Sequence, residues 1–442
     1  MKKRIIALVL TAVVGMTTII GCGSSKENAK EGDKTKITFW HSMGGKGGEA
    51  INYLTEKFNK SQDNIEVVAE YQGSYDDAIN KLKSSALGNS GPDIMQLYDI
   101  GTKWMIDSEY AVPMQELIDN DNYDTSKLEK NILDYYKVDG KLYSMPFNSS
   151  TPILYYNKTA FKEAGLNSDV APKNFDEIID FSKKLLKKSG NNIERYGYAM
   201  QIYGWFFEQF LIKQNLEYAN ENNGRGGNAT KVVFDSNNGG IKIMEEWKRL
   251  IDSGVVGNFG RNSDNTTDAF TSGKAAMIVG STASLGDIKK KVDGNFEIGT
   301  AYFPSVNKDD KGGVSIGGGS LWIMDNGDNE KEKSAFEFIK FMISPESQAE
   351  WAKSTGYFSV TTEAYNIKEM NNYLEENQEF KTAINQLRED NNSSGALLGV
   401  FPEARASIEE NIEKLLNNEI KAEEAVDNAA KTINNALDKY NR

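Results

Sequence analysis

The sequence predicts an α/β protein of two lobes, and three observations carry that reading. A chain of 442 residues is too long for one simple core. From residue 36 onward, short β-prone apolar runs alternate with amphipathic helical stretches, the pattern of a parallel-type sheet. A stiff polar segment, Pro146-Phe147-Asn148-Ser149-Ser150-Thr151-Pro152, then feeds a buried-strand pattern, Ile153-Leu154-Tyr155-Tyr156-Asn157-Lys158. Each proline fixes its own φ and holds the residue before it extended. The run is therefore expected to cross between lobes as an extended segment whose side-chain oxygens stay outside a regular ladder.

The chain starts with Lys2, Lys3 and Arg4, then runs apolar over residues 5–20 to Gly21-Cys22. This is the form of a secretory leader, short for a stable membrane span. The single Cys follows a small residue at the expected cut, which resembles a bacterial lipobox. Cleavage would leave Cys22 to carry lipid, anchoring the protein to the outer face of the cell membrane. A plain anchor helix is the competing reading. Residues 23–35 are rich in Ser, Lys, Glu and Gly with no aromatic, as expected of a flexible tether.

Ile37-Thr38-Phe39-Trp40-His41 is the first expected strand. Gly44-Gly45-Lys46-Gly47-Gly48 follows, and then a helix with Ile51, Leu54 and Phe58 on one face. The glycine loop lacks the Gly-Lys-Ser/Thr ending of a nucleotide site. Residues 65–71 form a second strand, 75–87 a second helix, and 93–98 a third strand ending at Asp99. Ligands of such sheets bind beyond the carboxyl ends of the strands. His41, Tyr75 and Asp99 all fall there. Asp139-Gly140 marks a hairpin turn, and Asn174-x-x-Glu177 opens a capped helix burying Ile178, Phe181 and Leu185. Tyr203-Gly204-Trp205-Phe206-Phe207 reads as core or as a cleft wall. Residues 269–279, then Gly280-Ser281-Thr282-Ala283-Ser284, read as a helix end, a buried strand and a polar loop, and 296–303 is another strand. A second crossing is expected near Pro304. In Ile316-Gly317-Gly318-Gly319-Ser320-Leu321-Trp322 the glycines allow backbone to approach a ligand, or serve as a hinge. The C-terminal part is helical.

Catalytic options are few. His41 is the only histidine, which excludes a two-histidine metal motif, and no metal or cofactor is expected. Cys22 belongs to the leader, so no thiol nucleophile or intrachain disulfide remains. Nothing singles out a carboxylate pair of the kind a glycosidase needs. A net charge of −13 argues against nucleic acid as a partner, and it means that an anionic ligand would need local donors.

Several motifs together are similar to extracellular solute-binding proteins of ABC importers. Asp268-Ala-Phe-Thr-Ser-Gly-Lys-Ala-Ala-Met-Ile and the Pro-Lys-Asn-Phe-Asp-Glu helix start resemble sugar-binding members in general. Phe39-Trp-His-Ser-Met43, Gly73-Ser-Tyr75, the 146–158 run, Gly317-Gly-Gly-Ser-Leu-Trp322 and Gly356-Tyr357 resemble the branch that binds glycerol 3-phosphate and its diesters. The resemblance spans roughly residues 36–440. It implies a class II-like periplasmic-binding-protein fold whose discontinuous lobes are joined by hinge crossings. It also implies a ligand set of Tyr75, Asp99 (where Glu is usual), Ser150, Ser281, Gly318, Tyr357 and Arg405. His41, Ile202 and Trp205 are further expected wall residues. Alignment through Gly204-Trp205 leaves Ile202 where some members carry an aromatic, an opening for a diester such as glycerophosphocholine.

Expected lobes are 36–147 with 305–350, and 148–304 with 351–442. The expected protein is a monomeric, lipid-anchored, non-enzymatic binding subunit that delivers its ligand to permease subunits in the membrane. An oligosaccharide-binding protein of the same fold is the alternative, and a surface glycosidase a more distant one.

Overall fold

The computed structural model describes residues 34–86, 90–389 and 391–442. The basic start, the apolar run, Cys22 and nearly all of the expected tether lie outside these residues. Thr35, assigned to the tether, already opens the first strand.

Two sheets organise the chain. In the first, Ile65–Tyr71, Thr35–His41 and Ile94–Tyr98 pair in parallel, as their alternation with helices requires. Gly317–Met324 joins antiparallel beside Ile94–Tyr98, and Ala111–Val112 closes the edge. The second sheet runs Val256–Asn258, Tyr198–Met200, Met277–Ser281, Pro152–Asn157, Ile298–Tyr302. It is mixed: the first three of these strands are parallel, and Pro152–Asn157 is antiparallel to both neighbours.

The proline-bracketed run is the main correction to the expected fold. Met145–Ser150 is a buried strand paired antiparallel with Gly317–Met324, matching Ser149 to Gly318 and Asn148 to Gly319. Pro146 is tolerated at a register shift in that ladder, where a missing N–H costs no regular bond. Asn148, Ser149 and Ser150 thus belong to the first sheet, and the chain changes sheets at Thr151. The expected boundary at 350/351 also falls inside a continuous helix, Pro345–Thr355. That helix packs beside Gly45–Ser61 of the first lobe.

Local sequence accounts for these elements. The Gly45–Ser61 helix buries Ile51, Leu54 and Phe58, one stripe at helical spacing. Asn174 caps Phe175–Leu185 by accepting from the Glu177 N–H at 3.0 Å. Phe147 packs against Trp351, ring centroids 4.6 Å apart and tilted at 37°, both fully buried. Burying one such ring is worth roughly 1.5–3 kcal/mol.

The crossing itself is clamped. Gln386, fully buried, donates to Thr151 Oγ1 (3.1 Å) and to the Pro152 carbonyl (2.8 Å). Its carbonyl oxygen accepts from the Phe303 N–H at 2.7 Å. One amide thereby ties the first crossing to the start of the second, between Tyr302 and Gly317.

Candidate functional site

Between the two sheets lies a cavity of about 760 Å³, beyond the carboxyl ends of strands from both. Tyr75, Asp99, Ser150, Ser281, Gly318, Tyr357 and Arg405, far apart in sequence, all line it, and Trp205 does too. Helical segments beginning at Gly45, Tyr75, Asp99, Gly204 and Thr282 start at or beside its wall. Helix N-termini carry partial positive charge, which favours an anion in a chain that is acidic overall, although Glu409 already caps the one at Gly204 and Ser281 the one at Thr282.

Arg405 lies in the helix Phe401–Leu416, which crosses Gly204–Lys213 closely because residue 204 has no side chain. A Cβ there would stand 2.9 Å from that of Arg405. The guanidinium is buried between the Tyr203 and Phe401 rings, 5.8 and 5.5 Å from their centroids. Glu208 holds one edge as a fork, at 2.6 Å to Nε and 2.9 Å to Nη2. Asp99 reaches Nη2 from the first lobe at 3.5 Å. Burial works against the charge of Arg405, but the Glu208 and Asp99 carboxylates more than offset this and hold it protonated. Burial lifts the Asp99 pKa to about 6, with Arg405 pulling it down and Glu208 pushing it up.

The hydroxyls are oriented by an amide relay. The Ser42 N–H donates to Gln96 Oε1 (3.0 Å), and Gln96 Nε2 donates to Asn148 Oδ1 (2.8 Å). Asn148 Nδ2 then donates to Tyr75 Oη at 3.1 Å. Tyr75 accepts from Asn148, so its own proton remains to donate. Ser281 Oγ accepts from the Ala283 N–H at 3.2 Å and likewise keeps its proton.

The three glycines answer three different neighbours. A Cβ at Gly317 would meet Trp205, at Gly318 (φ +108°) the Asn148 carbonyl at 1.9 Å, and at Gly319 the Leu97 carbonyl. Their smallness serves strand-to-strand contact first. Gly317 and Gly318 also reach the cavity.

Two expected wall residues are elsewhere. His41 is buried among Phe39 and Tyr71, and its Nδ1 accepts from the Met43 N–H at 3.3 Å. Desolvation lowers its pKa to about 4. The chain after it, from Met43 to Gly47, lines the cavity instead. Ile202 is fully buried in the core, its N–H bonded to the Gly260 carbonyl at 2.8 Å. Gln201 and Tyr203 on either side line the cavity, while Ile202 between them packs into the core of the second lobe, so no opening arises there.

Sequence reasoning missed the roles of Glu208, Asn148, Gln96 and Glu409, while Tyr203 lies on the cleft wall as one reading of its aromatic cluster had it. Glu208 had one available signal, as the only charge in Trp205-Phe206-Phe207-Glu208-Gln209-Phe210-Leu211-Ile212. A lone carboxylate in an apolar helix needs a buried cation. Glu409 accepts from the Gly204 N–H at 2.9 Å, capping that helix from across the cleft wall. Among the described residues no cluster of His, Cys, Asp and Glu is arranged to hold a metal ion, and no helix is long and apolar enough to cross a membrane.

A two-lobed α/β fold with one polar, cation-bearing cleft between its sheets defines a ligand-binding protein of the periplasmic type. The chain belongs to the bacterial extracellular solute-binding protein family, whose model matches residues 54–381. It is similar to sn-glycerol-3-phosphate-binding periplasmic proteins UgpB. That of Escherichia coli (strain K12) is 32% identical over 420 residues, 92% of this chain and 94% of that one. That of Yersinia enterocolitica is 33% identical over 404 residues, 89% and 90% respectively. In fold, the chain resembles UgpB from Mycobacterium tuberculosis in complex with glycerophosphocholine, with a TM-score of 0.79 at 22% identity over 93% of this chain and 100% of that one. It also resembles the maltotriose-bound MalE domain of Bdellovibrio bacteriovorus, with a TM-score of 0.75 at 18% identity over 91% and 100%.

Proposed function

We propose that this chain is the ligand-binding component of an ABC importer, capturing sn-glycerol 3-phosphate or a glycerophosphodiester in the cleft and delivering it to permease subunits. The observation that carries the reading is the buried Arg405 guanidinium, set among hydroxyl donors and helix N-termini in a single cavity. A planar, permanently charged donor with Tyr75, Ser150, Ser281 and Tyr357 around it suits a phosphate. Asp99 accepts from glycerol hydroxyls, and Tyr203, Trp205 and Phe206 flank the carbon chain. The relatives named for sn-glycerol 3-phosphate support the same ligand class.

In this reading the ligand bridges the lobes and biases a hinge equilibrium toward the closed form, which the permease recognises. No covalent chemistry is involved. The lobes are discontinuous, each completed by a returning segment of chain, and the protein acts as a monomer held to the outer face of the cell membrane by lipid on Cys22. An oligosaccharide ligand is the second reading, favoured by the cleft's aromatic rings and by the sugar-bound fold neighbours.

Calorimetric titration with glycerol 3-phosphate, glycerophosphocholine and maltose tests the proposal. Binding of either phosphate compound without maltose supports it. Maltose binding alone transfers the protein to the sugar-binding members, and turnover of any ligand makes it an enzyme.

A further inference from the structure

Arg405 is presented to the cleft with its charge already answered. Glu208 and Asp99 both bond it, so the three groups together carry a net negative charge whenever Asp99 is ionised. Glu208 takes no part in the cavity wall. It stands behind Arg405, lining a separate cavity of about 10 Å³ together with Asp99, Tyr135 and Tyr218. It holds Nε and Nη2, while Nη1 has no protein partner among the described residues. The other cations on the cavity wall are also matched, Lys46 by Glu49 and Arg261 by Glu413, each at 2.5 Å. Glu409 adds a further carboxylate to the wall.

Phosphate ligands differ in what they bring to such a site. A phosphodiester carries one negative charge throughout the physiological range, whereas a monoester carries nearly two above its second pKa of about 6. The helix N-termini and hydroxyls solvate one charge. A second charge meets an environment already in negative excess, at low effective dielectric.

We propose that Glu208, clasping Arg405 from behind, makes this cleft a selector for singly charged phosphodiesters over doubly charged phosphate monoesters. The proposal rests on the reading that the cleft takes glycerol phosphate compounds, and it assigns Glu208 as the positioning residue that sets their ranking. Glu208 fixes the guanidinium edge-on with Nη1 free, and it removes the surplus positive charge that a dianion needs.

The selection is expected to depend on pH. Facing Asp99 are Arg405, Glu208, Tyr75, Tyr98, Tyr135, Tyr136, Tyr203 and Tyr357, with Glu409 facing Arg405. Burial raises the pKa of every one of these tyrosines, so they stay protonated. Asp99 and the ligand's own phosphate titrate between pH 5 and 8, and burial raises the Glu409 carboxyl as well. Protonating any of the three removes one unit of the repulsion.

The test is calorimetric titration of the wild type and Glu208→Gln with glycerol 3-phosphate, its methyl diester and glycerophosphocholine. The methyl diester separates phosphate charge from the choline cation. At pH 7.5 the wild type is expected to bind both diesters at least about tenfold tighter than the monoester, and the gap to narrow at pH 5.5. Glu208→Gln is expected to close it about tenfold at pH 7.5, chiefly by tightening the monoester. Wild-type titrations in buffers of different ionisation enthalpy give a readout free of any folding defect in the variant. Monoester binding at pH 7.5 should take up more protons than diester binding, since the diester phosphate has no proton to gain in this range. A monoester preference in the wild type, a ratio untouched by pH, equal proton uptake for the two classes, or a uniform effect of Glu208→Gln on all three ligands overturns the selector. If none of the phosphate compounds binds, the glycerol phosphate reading itself falls.

Discussion

Asn148 donates its amide to Tyr75 Oη at 3.1 Å and so fixes which partner that hydroxyl can serve. With that amide donating to it, Tyr75 keeps its own proton free to donate toward the cavity. Asn148→Asp reverses the polarity, because a carboxylate would accept the tyrosine O–H hydrogen bond and add a negative charge beside the ligand. Affinity for glycerophosphocholine is expected to fall by about 10–100-fold, as for loss of a charge-assisted donor worth about 1.5–3 kcal/mol. Calorimetry reads this directly, and unchanged affinity would dismiss the relay.

Asp99 gives a stability test with a definite sign. Its folded pKa of about 6 is raised above the ordinary 3.8 by burial. The penalty for ionising it is absent below the unfolded value, grows between about 3.8 and 6, and is complete above 6. Asp99→Asn should therefore stabilise the ligand-free protein by about 2–3 kcal/mol at pH 8 and by almost nothing at pH 4. Urea unfolding at the two pH values measures the difference.

His41 works in the opposite direction. Its folded pKa of about 4 lies below the ordinary 6.5 because the imidazole is desolvated. The stability it contributes is full above 6.5 and is lost as pH falls through 4, by about 3 kcal/mol in all. His41→Gln keeps an acceptor for the Met43 N–H and removes the titration. The variant's acid-unfolding midpoint should shift to lower pH, and an unshifted midpoint would place the acid trigger elsewhere.

Much of the fold was legible because periodicity and turn chemistry are local. Ile51, Leu54 and Phe58, or Ile153 and Leu154, declare their burial in the sequence and are buried. The 146–152 run was not legible as a strand. Its hydroxyls and prolines argue against a ladder, and its partner is the glycine run some 170 residues later. The seven residues that the resemblance gives as the ligand set converge on one cavity, while two of the three further wall residues, His41 and Ile202, do not. In extended chain, neighbours one residue apart can differ between core and cleft, as Ile202 does from Gln201 and Tyr203. Glu208 and Gln386 act through partners that are remote in sequence: the apolar stretch around Glu208 signals a buried cation but not which one, and nothing local marks Gln386.

Gln386 is expected to matter for hinge integrity more than for ligand contact. Gln386→Ala leaves the Phe303 N–H, Thr151 Oγ1 and the Pro152 carbonyl without their buried partner. A loss of about 2–4 kcal/mol in urea unfolding is expected, since a buried unsatisfied group costs about 1–3 kcal/mol. A change below 1 kcal/mol would show that the crossing is held by other contacts.

Gly318→Ala should be worse than either. Its φ of +108° and the Asn148 carbonyl 1.9 Å from any Cβ leave no accommodating rotamer. The strand pairing with 145–150 must shift, carrying Asn148 and Ser150 with it. Loss of more than about 3 kcal/mol and of all measurable binding is expected, against a wild-type-like melt if the strand can simply slide.

The most direct measurement is a crystal structure of the protein grown with glycerophosphocholine. The expected result is a closed cleft with phosphate oxygens accepting from Arg405 Nη1 and from the hydroxyls of Tyr75, Ser150 or Tyr357, while Glu208 keeps its fork on Nε and Nη2. Phosphate seated away from Arg405, at the Gly44–Gly47 helix start or outside the cleft, would contradict the account.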